Sequence, residues 1–266
     1  MVRFIDRPIV PFCYRKMPVQ KTPAIVIRFY PLRESDKIIT FYTAEFGKIK
    51  AVARGVRRPK SRLAGGLELL NYGTLVFFER PNKDLQIVND FDLISSFEGI
   101  KADFYRTTYG CYLAELIGAI ESDHSVDQQI FHLLQHGFET MAQVDDIALF
   151  ARAFELQLLG LAGLSPQLSH CVACTHAFKD AALHFSSRFG GMLCVRCSDR
   201  DVNAIAVSRG SCQLMQQLQK SSLSRLGRFR ASILNHRELK FVLATFISYH
   251  IERDLKSLKF IDNLNI

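Results

Sequence analysis

Two C-x-x-C pairs, Cys171-Val-Ala-Cys174 and Cys194-Val-Arg-Cys197, stand 19 residues apart. This C-x2-C-x19-C-x2-C spacing is that of a four-thiolate zinc site. Each pair forms a tight knuckle that aims two sulfurs the same way, and two knuckles complete a tetrahedron. Four thiolates fill the coordination sphere, so the expected cofactor is one structural zinc per chain. A catalytic zinc would keep a position open for water. His170, His176 and His184 flank the pairs and read as polar surface or supporting groups. Cys13, Cys111 and Cys212 are isolated, and Cys111, inside a helical pattern, reads as core packing.

A second concentration of chemistry runs from Lys48 to Arg62, K-I-K-A-V-A-R-G-V-R-R-P-K-S-R. It carries Lys48, Lys50, Arg54, Arg57, Arg58, Lys60 and Arg62 without one Asp or Glu. Ile49, Ala51 and Ala53 alternate with the lysines, so the first half predicts a strand with an apolar and a basic face. Gly55 breaks that strand and Pro59 keeps the remainder out of regular pairing. The expectation is a rigid cationic edge followed by a mobile cationic finger. Charge spread along a line suits a phosphate backbone better than a small anion, so these seven cations are the candidate DNA-binding residues.

Motifs that would point to catalysis are missing. There is no G-x-x-x-x-G-K-[ST] for ATP phosphates, no G-x-G-x-x-G after a strand, no G-x-S-x-G and no H-E-x-x-H. The expectation is a protein that is not an enzyme. Two other readings of the same residues stay open: a metal-dependent nuclease holding substrate on its basic module, and an RNA-binding translation factor.

Charge is unevenly distributed. The net charge of +8 resolves into +10 for residues 1–80, −8 for 81–199 and +6 for 200–266. A basic first module argues for a polyanionic partner there. No uncharged apolar run approaches the roughly 20 residues of a membrane span. The first residues hold Arg3, Asp6 and Arg7 and no apolar signal segment. A cytoplasmic, nucleoid-associated location and reduced cysteines are therefore expected.

The elements that must position these residues follow from the hydrophobic period. Residues 1–22 read as a loose leader. Ala24–Tyr30, Lys37–Thr43, Lys48–Arg54, Leu67–Glu79 and Leu85–Ile94 predict five strands, short enough in total to close into a small barrel over residues 23–98. Phe29, Tyr30, Phe41, Tyr42, Phe77 and Phe78 are candidates for stacking on bases. Alternation lets at most about half of them face outward. Beyond Ser95 the period turns helical, with Phe104–Glu121, Gln128–Gln143 and Ile147–Ala162 in a domain spanning 99–168. Asp145 and Asp146 read as a helix start. Residues 169–199 form the cysteine module. Helices over Ser211–Leu226 and Arg237–Leu258 complete the helical domain within 200–266. The fold class is α+β: a five-stranded barrel, then an all-helical domain with an inserted four-cysteine module.

Several of these stretches resemble one family. Ala53-Arg-Gly-Val-Arg-Arg-Pro-Lys-Ser-Arg62, with Arg33-Glu-Ser-Asp-Lys37 and Thr43-Ala-Glu-Phe-Gly-Lys48 before it, resembles the first domain of the bacterial recombination mediator RecO. Arg152 to Pro166, Leu168 to Cys174 and Phe185 to Cys197 are similar to its helical and zinc-bearing parts, in the same order. The resemblance covers about residues 23–260, and the leader is longer than the family's. It implies an OB-fold barrel, binding of single- and double-stranded DNA, and annealing of complementary strands. It also implies work with RecR, and in some members RecF, to load RecA onto strands coated by single-stranded-DNA-binding protein. No nucleotide hydrolysis is implied. The family's helical domain receives the acidic C-terminal tail of that coating protein. Arg152 matches a basic position implicated there, the alternative being an ordinary surface arginine.

Overall fold

The computed structural model describes residues 18–123, 125–178, 182–251 and 254–264. The leader's residues 1–17, Cys13 among them, lie outside the described residues.

Five strands close into a barrel in the order β1-β2-β3-β5-β4. They are β1 (Val19–Leu32), β2 (Asp36–Thr43), β3 (Gly47–Ala53), β4 (Tyr72–Phe78) and β5 (Leu85–Ser95). β1 pairs antiparallel with both β2 and β4, and the parallel pairing of β3 with β5 closes the ring. Closure leaves no long free edge. Its interior is filled by Ala24, Val26, Ile39, Phe41, Ile49, Ala51, Leu75, Phe77 and Phe91.

Two expectations shift here. β1 starts at Val19, where it pairs with Phe78, so residues 19–22 belong to the barrel rather than to a leader. β4 starts at Tyr72 rather than Leu67. Leu70 takes a left-handed φ of 69° and Asn71 donates its side-chain amide to the carbonyls of Gly65 and Gly66, which turns that stretch before the strand begins.

The barrel is joined to the helical domain through β1. Its Ala24 and Val26 point into the barrel, while Ile25 and Ile27 point out into the helical core with Tyr42 and Leu70. A strand buried on both faces cannot show the apolar–polar alternation of a half-exposed one, and A-I-V-I does not.

The helices are α1 (Glu98–Lys101), α2 (Phe104–Ile120), α3 (Gln128–Met141) and α4 (Ile147–Leu161). Asp103, Asp127 and Asp146 cap α2, α3 and α4 by accepting from backbone N–H groups in the first turn. Each such cap contributes about 1 kcal/mol. α4 is the central helix, with buried residues on every side, Phe150 and Phe154 among them. Burying each of those rings stabilises by roughly 1.5–3 kcal/mol.

After α4 come β6 (Ala182–Ser186), β7 (Gly191–Cys194), a 3-10 turn over Val195–Arg200, and β8 (Ile205–Ser208). They form a three-stranded sheet in the order β7-β6-β8. β8 lies beyond residue 199, so the cysteine module extends past its expected end and the last segment is not all helical. Then follow α5 (Arg209–Lys220), a 3-10 turn over Leu223–Arg228, α6 (Ile233–Ile251) and α7 (Lys256–Asn263). The two helices expected after residue 210 are thus each divided. Among the described residues no helix is long and apolar enough to cross a membrane.

Candidate nucleic-acid interface and metal centre

The basic run divides into two parts with different surroundings. Lys48 is buried. Its ammonium donates to the carbonyls of Gly118 at 3.0 Å and Glu121 at 2.6 Å and pairs with Asp123 at 3.0 Å. Those carbonyls lie at the C-terminus of α2, where a cation satisfies otherwise unpaired acceptors. Lys50, half-exposed, shares the same Asp123 carboxylate at 2.6 Å. Hydrogen bonds from Lys50 and Lys48, opposed by partial burial, hold the Asp123 carboxyl below its ordinary value. Lys48 therefore fastens the barrel to α2 and leaves the set of outward cations, a correction to its expected DNA-binding role. Its charge faces the helical domain because β3 bridges at Lys48 to Asp123, just past the end of α2.

From Arg54 onward the side chains face solvent: Arg54, Arg57, Arg58, Lys60 and Arg62 are all exposed. Arg54, Arg58, Lys60 and Arg62 enter no ion pair or side-chain hydrogen bond among the described residues. The expected mobile finger is instead a strap of successive turns. Arg58 N–H donates to Gly55, Ser61 to Arg58, Ala64 to Ser61 and Leu67 to Leu63. Val56 and Leu67 are buried in the barrel core, with Leu63 packed against it. Gly55 makes the reversal at a φ of +63°, where a side chain would be strained.

The strap is lashed to the β1–β2 hairpin. The Asp36 carboxylate accepts from Gly55 N–H at 2.8 Å and from Ser35 at 3.0 Å, and these bonds, the Gly55 one foremost, lower its pKa. Arg57 donates to the Arg33 carbonyl at 3.2 Å. The hairpin carries its own cations and rings. Phe29 and Tyr30 are 40% and 43% exposed. Lys37 Nζ sits 4.4 Å over the Phe29 ring and the Arg28 guanidinium 4.5 Å over Tyr30.

Alternation permits one ring of each adjacent pair to face out, yet Phe29 and Tyr30 both do. Past the bulge between Val26 and Arg28, β1 pairs only with β2 and Arg28 to Pro31 are exposed, with Phe29 bordering the clefts toward α2. Phe41 and Tyr42 are both buried, one in the barrel and one in the helical core. Arg28, Arg33 and Lys37 join this surface and were missed by sequence reasoning. The available signal was R-F-Y at 28–30, cations interleaved with aromatics on one strand.

Beside this surface, a cleft of about 660 Å³ separates β1 and β3 from α2 and the start of α7. Arg28, Lys48, Lys50 and Lys256 face Glu115, Asp123 and Asp254 across it. Its charges are mixed, unlike those of the strap.

Arg152 occupies neither of its expected environments. It is 2% exposed, in the middle of α4, and pairs with Glu155 at 2.7 Å. Tyr112 of α2 donates to the same Glu155 oxygen at 2.7 Å. Burial pushes the Glu155 carboxyl up against the pull of Arg152. Arg152 is a core ion pair because α4 is enclosed on all sides, so it presents no docking charge to a partner.

The four cysteine sulfurs lie within 4.8 Å of one another and could hold a metal ion. Zinc–sulfur bonds of about 2.3 Å in a tetrahedron require sulfurs about 3.8 Å apart. Cys174 and Cys194 Sγ are 3.8 Å apart. The first knuckle turns at Thr175, with a φ of 60°, and its Val172 N–H donates to Met192 next to the second. Gly191 lets the two approach: a Cβ there would fall 2.3 Å from the Gln167 carbonyl. Four clustered thiols resist ionising together. Burial opposes ionisation of Cys171, but N–H groups of Cys194, Ala173 and Cys174 bring it down to about 6. Burial and the neighbouring sulfurs push Cys197 up to about 12. A divalent cation at the centre would remove that conflict. His176 turns its Nδ1 to the Cys174 carbonyl at 2.8 Å and stays out of the cluster. Cys111 is half-buried on α2 and Cys212 buried on α5.

Comparison with known proteins bears on what this assembly is. Residues 17–97 match the family described as Recombination protein O N terminal, and residues 101–259 match Recombination protein O C terminal. The chain belongs to the RecO family. A DNA repair protein RecO from Pelotomaculum thermopropionicum is 33% identical over 246 residues, covering 92% of this chain and 94% of the relative. The RecO of Halalkalibacterium halodurans is 32% identical and that of Bacillus subtilis 30%, each over 244 residues with the same shares covered. The five-stranded closed barrel, the helical region behind it and the cysteine cluster are thus those of a RecO chain.

Proposed function

We propose that this RecO protein is a non-catalytic DNA-binding mediator. It binds and anneals single strands and, together with RecR and in some settings RecF, helps place RecA on strands coated by single-stranded-DNA-binding protein. One observation carries the reading: Arg54, Arg57, Arg58, Lys60 and Arg62 stand exposed on an anchored strap, beside the exposed rings of Phe29 and Tyr30. Phosphates are neutralised by the strap with release of counterions, and unstacked bases have two rings on which to lie whatever their sequence. Each arginine fork fits two phosphate oxygens. Annealing follows when two strands lose their mutual repulsion on one protein. None of these steps needs a bond broken in the protein or a nucleotide hydrolysed.

The test is annealing of complementary strands coated with single-stranded-DNA-binding protein, with no ATP present. The protein accelerates it, and labelled DNA incubated alongside with magnesium or manganese stays intact. Cleavage, or annealing no faster than in its absence, contradicts the reading.

The metal we propose for the cysteine cluster is zinc, held by Cys171, Cys174, Cys194 and Cys197 to pin β7 and the first knuckle together. Protein prepared without chelator then carries about one zinc per chain, as one tetrathiolate site requires. Cys171→Ser lowers its melting temperature more than its DNA affinity. A metal-free, equally stable protein would overturn the assignment.

A further inference from the structure

Residues 202–237 include Arg209, Lys220, Arg225, Arg228, Arg230 and Arg237 and no Asp or Glu. All six are exposed. None enters an ion pair among the described residues. Three of them are set on a firm base. The 3-10 turn Leu223–Arg228 has the order L-S-R-L-G-R, and in such a turn side chains three apart eclipse. Leu223 and Leu226 are buried together on the inner side, Leu223 over the bare face of Gly137 next to Phe154. Arg225 and Arg228 consequently project together on the outer side, with a rise of about 6 Å between them. Arg230 follows at once. Its Nη1 donates to the carbonyls of Gly227 at 3.0 Å and Phe229 at 3.1 Å, which steadies the guanidinium and leaves its other N–H groups for a ligand. Glu139 and Asp145 border a cleft with Ser224 and Gly227 and mark the edge of the array on the α3 side. Asp146 is engaged by His236 at 3.1 Å.

The packing order places this array away from the strap. β1 packs on α2, α2 on α4, and α4 on the Leu223–Arg228 turn. The turn packs on α4 and α3, and α3 itself reaches the barrel where Phe131 meets Tyr72 of β4. An acidic middle module separates two basic ones in the sequence, and the fold keeps them apart in space.

We propose that Arg225, Arg228 and Arg230 form a second polynucleotide site on the helical domain, which holds another strand while the barrel holds the first. The inference rests on the reading of the barrel as a DNA-binding surface and deepens it. Three exposed guanidiniums, two on one turn and one just past it, suit successive phosphates of one backbone, each fork taking two oxygens. Two separate sites on one chain let a single molecule carry both partners of an annealing reaction.

The experiment uses full-length protein bound to an immobilised oligothymidine, followed by a fluorescent oligothymidine that cannot pair with the first. Arg225→Ala/Arg228→Ala/Arg230→Ala binds the first strand within about twofold of the parent and melts at the same temperature. It captures the second strand about tenfold less, the order expected for three lost phosphate contacts. The triple lysine variant at these positions retains most of the capture, since charge is kept. Undiminished capture by the alanine variant overturns the proposal, as does equal loss in the lysine variant. Arg57→Ala/Arg58→Ala/Lys60→Ala is measured in parallel. Full first-strand binding by that variant would overturn the barrel reading alone and leaves the helical comparison to stand on its own result.

Discussion

Single residues show how far identity alone can mislead about role. Lys48 and Arg58 belong to one basic run, yet one is sealed against α2 by three oxygens and the other faces open solvent. Nothing in K-I-K distinguishes them, because the carboxylate and carbonyls that capture Lys48 lie 70 or more residues further on. Arg152 makes the same point inside α4. Its i, i+3 partner Glu155 is written in the sequence, but such pairs are usually solvated, and only the enclosure of α4 makes this one buried. Removing one member of a buried pair leaves the other charge uncompensated. Arg152→Ala is therefore expected to cost about 3–5 kcal/mol of stability, read by urea unfolding. Its effect on binding an acidic peptide should follow the lost fold and no more. A stable variant that selectively loses such a peptide would reverse the placement of Arg152. The cysteines stand at the other extreme. Their ligand pattern is local, two tight knuckles, so spacing alone located a cluster that the fold brings within 4.8 Å.

At the scale of elements, the barrel was readable because strand period, turn residues and length agree over 75 residues or so. Reading failed where two faces are buried at once or none is. β1 buries both faces where it passes between the cores, and exposes both beyond its bulge. That local break puts Phe29 and Tyr30 together at the surface, with Arg28 and Lys37 over their rings. The strap was expected to be loose because Gly55 and Pro59 interrupt pairing. Val56, Leu63 and Leu67 tie it down instead; their intervals of seven and four would suit a helix, but Pro59, Gly65 and Gly66 interrupt that pattern and hide the anchor. If the rings stack on bases, Phe29→Ala/Tyr30→Ala weakens single-strand binding by about 1–3 kcal/mol per base unstacked. The slope of log affinity against log salt stays unchanged, since no cation is lost. A changed slope with unchanged affinity in fluorescence anisotropy would contradict this division of labour. Helix ends followed their caps closely at Asp103, Asp127 and Asp146. The breaks after α5 and α6 did not, because apolar residues continue through Leu226 and Leu258 at nearly helical spacing.

Across the whole molecule, alternating charge becomes a spatial plan. The acidic central part supplies Asp123 to the joint and Glu155 to the core, while the cations of the strap and of residues 202–237 turn outward. A firm joint matters because polyanion binding adds like charge to one side of it. The central claim is that strap cations bind polynucleotide by neutralising phosphates. Its most direct test is the salt dependence of single-stranded DNA affinity in the parent and in Arg57→Ala/Arg58→Ala/Lys60→Ala. Each lost contact to a single strand removes about 0.7 from the slope of log affinity against log salt, so the account predicts a slope shallower by about 2 with the fold intact. An identical slope in the two proteins would contradict it.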